Sequence, residues 1–132
     1  MSNRPFQVVA STVPVHAFTG GHRFRFLATG AQTGGSYGTM EVLSPVDSGP
    51  GLHVHEASEE HFLVLEGEVE FVVGGQTFTA GVGDLVHVPR QTVHAFTVTC
   101  AARMIATFTP AGDEQHLLDS SVLVCPEDCG LE

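Results

Sequence analysis

Apolar and polar positions alternate in short stretches along most of the chain, and turn-forming residues separate the stretches. His22–Ala28 (HRFRFLA) puts His22, Phe24 and Phe26 on one face and Arg23 and Arg25 on the other, the period of a half-buried strand. Tyr37–Leu43 follows a Gly34-Gly35 turn, and Pro45–Gly51 (PVDSGPG) reads as loop. Glu60–Leu65 predicts the next strand, ending at Glu66-Gly67. Val69–Val73 (VEFVV) runs into Gly74-Gly75, a two-residue hairpin signal. Gln76–Ala80, Leu85–Val88, His94–Thr99 and Met104–Thr109 complete the series. The one helical candidate, Asp113–Asp119 (DEQHLLD), is predicted to be too short to matter to the core.

About eight or nine short strands at this spacing predict an all-β, antiparallel architecture, a barrel or jelly roll that is closed or nearly closed. Closure removes the exposed edges that an open sheet of this size would have to protect. The 132 residues carry no internal repeat and no low-complexity linker, so a single domain is expected, with the barrel over about 20–110 and a tail over 111–132. A hydrophobic share of 42% can fill a core, which argues against a disordered chain. No apolar run approaches the ~20 residues of a membrane helix. Met1–Ala10 holds Arg4 but no apolar signal core, so a cytoplasmic location is expected.

Charge narrows the partners. Fifteen acidic residues face five arginines (Arg4, Arg23, Arg25, Arg90 and Arg103) for a formal charge of −10, and the arginines are dispersed. A nucleic acid partner needs a clustered basic patch, and an anionic membrane is disfavoured for the same reason. Without a lysine there is no lysine-tipped phosphate loop. Ser44, Ser48 and Ser58 fall in predicted loops with no nucleophile-elbow context. Cys100, Cys125 and Cys129 are an odd set and read as reduced thiols. Cys125 and Cys129 would need two more ligands for a zinc site, with His116 the one candidate nearby.

The eight histidines are unevenly placed. His53 and His55 are separated by one residue, so on an extended strand both imidazoles project to one side. A short turn over Glu56–Glu59 would bring Glu60 onto the adjacent strand facing the same space, and His94 begins a later strand after the Pro89-Arg90-Gln91 turn. Three imidazole nitrogens and one carboxylate can hold a divalent first-row metal with coordination positions to spare. Glu59 competes with Glu60, but Glu60 alternates with Phe62 and Val64, which would line the same cavity. His61 faces away from Glu60. His87 reads as a surface position, and His16, His22 and His116 carry no motif.

Gly51–Gly67 (GLHVHEASEEHFLVLEG) resembles the first motif of the cupin superfamily through His53, His55, Glu60 and Gly67. Gly83–His94 (GDLVHVPRQTVH) resembles the second through Gly83, Pro89 and His94. The spacing between them fits small bacterial cupins. The pattern departs from the family at Asp47, where its opening glycine would fall, at Gln91 in place of a glycine, and at Val98 in place of an asparagine; none of these is a ligand position. The resemblance implies one divalent transition metal (Fe, Ni, Mn, Co, Cu or Zn) on His53, His55, Glu60 and His94. It also implies a homodimer, for which Pro5–Ala10 (PFQVVA) is a strand-like segment without an obvious partner in its own chain.

Within the superfamily the pattern is most similar to quercetin 2,3-dioxygenase-like proteins. That likeness implies a dioxygenase acting on a small enolic or phenolic molecule, with Glu60 both ligand and catalytic base. The expected cavity walls are Phe24, Phe26, Met40, Phe62, Val64, Phe71 and Phe96, residues that equally suit a plain core. Two other classes fit the same residues. One is a non-redox cyclase, isomerase or decarboxylase; the other is a barrel that binds a small molecule without turnover.

Overall fold

The computed structural model describes residues 4–124, so Cys125 and Cys129 lie outside the described residues. Eight strands form one antiparallel ladder: β1 (His16–Ala17), β2 (Arg23–Ala28), β3 (Gly38–Ser44), β4 (Glu59–Val73), β5 (Gln76–Ala80), β6 (Leu85–Val88), β7 (His94–Thr109) and β8 (Val122–Leu123). Their order is β5-β4-β7-β3-β2-β1-β8, with β6 also on β4. The fold is the expected antiparallel jelly roll, and its hydrogen-bonded ladder is an open path among the described residues. Two helices join the strands, α1 (Gly30–Thr33) and α2 (Asp113–Ser120). Pro5–Val9 joins no strand, and Phe6 and Val9 are exposed.

Two pairs of expected strands are single long ones. Glu60–Leu65 and Val69–Val73 are halves of β4, and His94–Thr99 and Met104–Thr109 are halves of β7. The expected stop at Glu66-Gly67 is instead a bend. Register against β7 shifts between Val64 and Val69, and the buried positions of β4 change phase there, from Glu60, Phe62 and Val64 to Val69, Phe71 and Val73. An inserted residue of this kind swaps the faces of a strand and increases its twist. Gly67 sits at the bend with φ +85°, and a Cβ there would collide with the Ala101 carbonyl. Only glycine meets both demands.

The bend rolls the β4–β7 ribbon over on itself. The first half of β4 pairs with β6 and the end of β7, and the second half pairs with β5 and the start of β7. Between the halves lies a core that includes Val64, Val69, Phe71, Val98 and Met104, all essentially without solvent contact. The loop over 45–58 is laced to β7 by backbone hydrogen bonds, Asp47 N–H to Val98 C=O at 2.7 Å and Val98 N–H to Ser48 C=O at 2.8 Å. Gly49 permits this approach, because a Cβ there would strike the Phe96 carbonyl.

α2 contributes more than its length suggested. Glu114 is buried, and its carboxylate accepts from Gly30 N–H at 2.9 Å and Gly112 N–H at 2.7 Å. Leu117 packs on the core. The helix therefore closes one end of the roll.

Candidate metal centre and cavity

Each ligand candidate is placed by a separate backbone constraint. His53 forms an isolated bridge with His94, each N–H donating to the other's carbonyl at 2.9 Å. His55 C=O accepts from Gln91 N–H at 2.7 Å. Glu60 and His94 sit on inward positions near the starts of β4 and β7. Along the ladder Glu60 pairs with Phe108 and His94 with Val73, which are opposite ends of the ribbon. The bend brings those ends together. One donor atom from each of His53, His55, Glu60 and His94 lies within 4.8 Å of the others.

The donor set fits a divalent metal. Glu60 Oε1 lies 3.3 Å from His55 Nε2 and 3.5 Å from His94 Nε2. Even so, Glu60 Oε1 and His94 Nε2 are buried without a hydrogen-bond partner among the described residues. Buried polar atoms are rarely left this way unless something else binds them. The far sides of the rings are occupied. His53 Nδ1 is 2.8 Å from Gly51 C=O, His94 Nδ1 is 2.9 Å from Thr92 C=O, and His55 Nδ1 is 3.1 Å from an Asp113 carboxylate oxygen. Protons on Nδ1 of His53 and His94, donated outward to those carbonyls, leave their Nε2 lone pairs facing the shared centre, the usual outer support of metal-bound histidine, and Asp113 supplies a carboxylate beside His55. Glu60 and His94 are buried while His53 and His55 are half-buried, so the centre is open on one side.

Electrostatics agree with a site built for a cation. Burial pushes His53 below the ordinary histidine value, only partly offset by the Gly51 carbonyl. Burial also opposes charge on His55, but the carboxylates of Glu60 and Asp113 outweigh it and raise its pKa.

A cavity of about 280 Å³ opens from the cluster into the roll. This is close to the lower end of small-molecule sites, room for a compact ligand. Phe24, Met40, Phe62 and Phe96 line it, together with Phe18, Phe108 and Leu117. Phe26, Val64 and Phe71 do not line it. Val64 and Phe71 lie wholly in the core, and Phe26, beside an irregularity in β2, packs against the core's edge. Glu59 points outward, 3.9 Å from Arg90, and His87 is exposed. His61 is half-buried on the face opposite Glu60.

Two residues went unread in the sequence. Asp113 reaches His55 from α2, and His22 lines the cavity with its Nδ1 2.7 Å from Ser44 Oγ. Ser44 itself ends β3 and is buried, and so is not in a loop. The alternation that put His22 on the face of Phe24 was the one available signal for it. Nothing in the sequence marks Asp113.

The comparisons follow the same lines. Quercetin 2,3-dioxygenase of Bacillus subtilis (strain 168) is 30% identical over 115 residues, 82% of this chain. The chain spans about a third of that relative's length (34%). KdgF from Halomonas sp. superposes with a TM-score of 0.77 over 85% of this chain and 99% of its own, at 17% identity. An RmlC-like cupin from Shewanella frigidimarina NCIMB 400 does so with a TM-score of 0.76 over 87% and 99%, at 19% identity. At these identities the two structures speak for the fold alone. Residues 39–108, which run from β3 through nearly all of β7 and include all four clustered side chains, match the cupin domain, and the chain belongs to that family.

Proposed function

We propose that this protein is a metal-dependent, dioxygenase-like cupin of the cytoplasm that acts on a small enolic or phenolic molecule, with Glu60 as ligand and base. The observation that carries this reading is the buried Glu60 Oε1, unpartnered at the junction of a histidine cluster and an aromatic cavity. His53, His55, Glu60 and His94 would hold the metal. When bound, it would acidify a ligand hydroxyl and hold the resulting anion. The aromatic walls would orient a flat molecule with its hydroxyl toward the cluster and keep bulk water out. Glu60 would take the hydroxyl proton on Oε1, and His55, supported by Asp113, would stabilise the neighbouring charge. The partial likeness to a quercetin dioxygenase favours an oxygen-using reaction on such a substrate.

The test is elemental analysis of protein purified without added metal, then oxygen uptake with phenols and diketones. Stoichiometric metal with substrate-dependent uptake supports the reading. Turnover unchanged when oxygen is removed would rule out the dioxygenase step and leave non-redox chemistry. The exposed Phe6 and Val9 on the unpaired N-terminal segment support a homodimer, and light scattering showing a monomer at micromolar concentration would contradict it.

A further inference from the structure

We propose that His22 is a specificity residue of this cavity, whose Nε2 hydrogen-bonds a hydroxyl group on an apolar-bodied small molecule. The proposal rests on the cavity being the substrate site and narrows the ligands it takes. His22 is 95% buried, at 5% relative exposure, and lines the cavity. Its Nδ1 is fastened to Ser44 Oγ at 2.7 Å. Its ring lies parallel to Phe24, with centroids 6.5 Å apart, and edge-on to Phe96 at 5.9 Å. The ring is thus held from three directions, and Nε2, on the edge away from Nδ1, has no partner among the described residues.

A structural role does not account for a histidine here. An aliphatic or aromatic side chain would fill the space among Phe24, Phe96 and Ser44 without burying an unsatisfied nitrogen, which is costly. Burial lowers the pKa of His22, so the ring is neutral near pH 7 and offers one N–H and one lone pair. The Ser44 hydroxyl can turn either way. If it donates to Nδ1, then Nε2 carries the proton; if it accepts, Nε2 is bare. A ligand hydroxyl, both donor and acceptor, suits both states, whereas a carbonyl suits only one. Ring and hydrogen-bond neighbours of His22 are Phe24, Phe96 and Ser44, not the four clustered residues, so this contact is separate from the metal centre.

The experiment compares 2,6-dihydroxynaphthalene with 6-methyl-2-naphthol, near-identical shapes that each keep one hydroxyl for the clustered residues and differ at the far end in hydroxyl against methyl. Affinities are measured by ligand-detected NMR on the purified full chain, with metal content determined on each preparation. Wild type is expected to favour 2,6-dihydroxynaphthalene by about tenfold, the scale of one hydrogen bond whose loss leaves a buried partner. His22→Leu with Ser44→Ala removes both members of the polar pair. It should bring the two affinities near parity while unfolding no more easily than wild type. His22→Gln, which keeps a polar end, should retain part of the preference. Equal affinities in wild type, binding of neither compound, or undiminished preference in either variant would overturn the proposal. Undiminished preference in the double variant would place the second hydroxyl away from His22. Protein that lacks metal yet shows the preference would sink the metal-dependent reading and leave His22 in place.

Discussion

Two charge clusters sit on opposite faces of the same sheet. On the outer face, Glu41 accepts from Arg25 at 3.0 Å and from Arg103 at 3.1 Å, and Arg103 also reaches Glu66 at 2.8 Å. Both oxygens of Glu41 are taken, although it is nearly buried. On the inner face, Glu60 is buried as deeply, yet its Oε1 has no hydrogen bond. Burial and charge alone do not distinguish a structural carboxylate from a functional one. Completeness of the carboxylate's partners does: both oxygens of Glu41 are met by the protein, although Arg25 Nε beside it has no hydrogen-bond partner among the described residues, whereas Oε1 of Glu60 is met only by something that arrives.

The sharpest way to break that contrast is Glu60→Gln. Glutamine can still occupy the position, and three histidines still bind, so a substantial share of the metal should remain. Loss of the base should lower kcat by roughly 100-fold or more. Metal content and kcat measured on one preparation decide the matter. Full activity would remove the base role, whereas proportional loss of both would make Glu60 a ligand only.

Next in size is Asp113→Asn. Removing the carboxylate behind His55 should weaken metal affinity by about tenfold, the lower range for such outer partners. A competition titration with a chromogenic chelator reads this directly, and unchanged affinity would reduce Asp113 to a helix-end residue.

Arg103→Ala, in the finished cluster, should cost no more than about 1 kcal/mol in denaturant unfolding, because Arg103 is partly exposed and Glu41 keeps Arg25. Metal content should not change. A large loss of metal would couple the two faces and dissolve the comparison.

The smallest effect is in the pH dependence of stability without metal. His22 and His53 have pKa values lowered by burial from 6.5, so their contribution is present above about that pH and is lost as pH falls through their lowered values. His55, where two carboxylates overcome burial, contributes below about 6.5 and loses that contribution as pH rises through its raised value. The opposed signs should give a shallow net profile between about pH 5 and 8. Asp113→Asn should steepen the acid-side loss, because it weakens the one histidine that gains on acidification. Equal slopes for wild type and variant would rule out Asp113 as the source.

The cluster of four side chains was legible because three of its members lie close together in the chain. His53 and His55 are two residues apart, and Glu60 shares its phase with Phe62 and Val64. Most strands were legible for the same reason. The joining of strand halves into β4 and β7 was not, since Glu66-Gly67 reads equally as a turn or a bend, and only pairing to β7 decides between them. Phe71 faces the same interior as Phe62 and Phe96, with ring centroids 5.1 and 5.6 Å away, yet does not line the cavity, a distinction that alternation along one strand does not carry. Asp113 and His22 depend on contacts with residues distant in the chain, His55 and Ser44, and no local pattern encodes those.

The bend at Gly67 has a mechanical consequence. Glu60 and His94 stand at opposite ends of one continuous hydrogen-bonded ribbon, so an ion gripping both would act as a clasp on a rolled strip. The roll cannot loosen at those ends while both residues hold the ion. Exchange of amide protons at the two strand ends with heavy water should therefore slow when the ion is bound and recover when a chelator removes it.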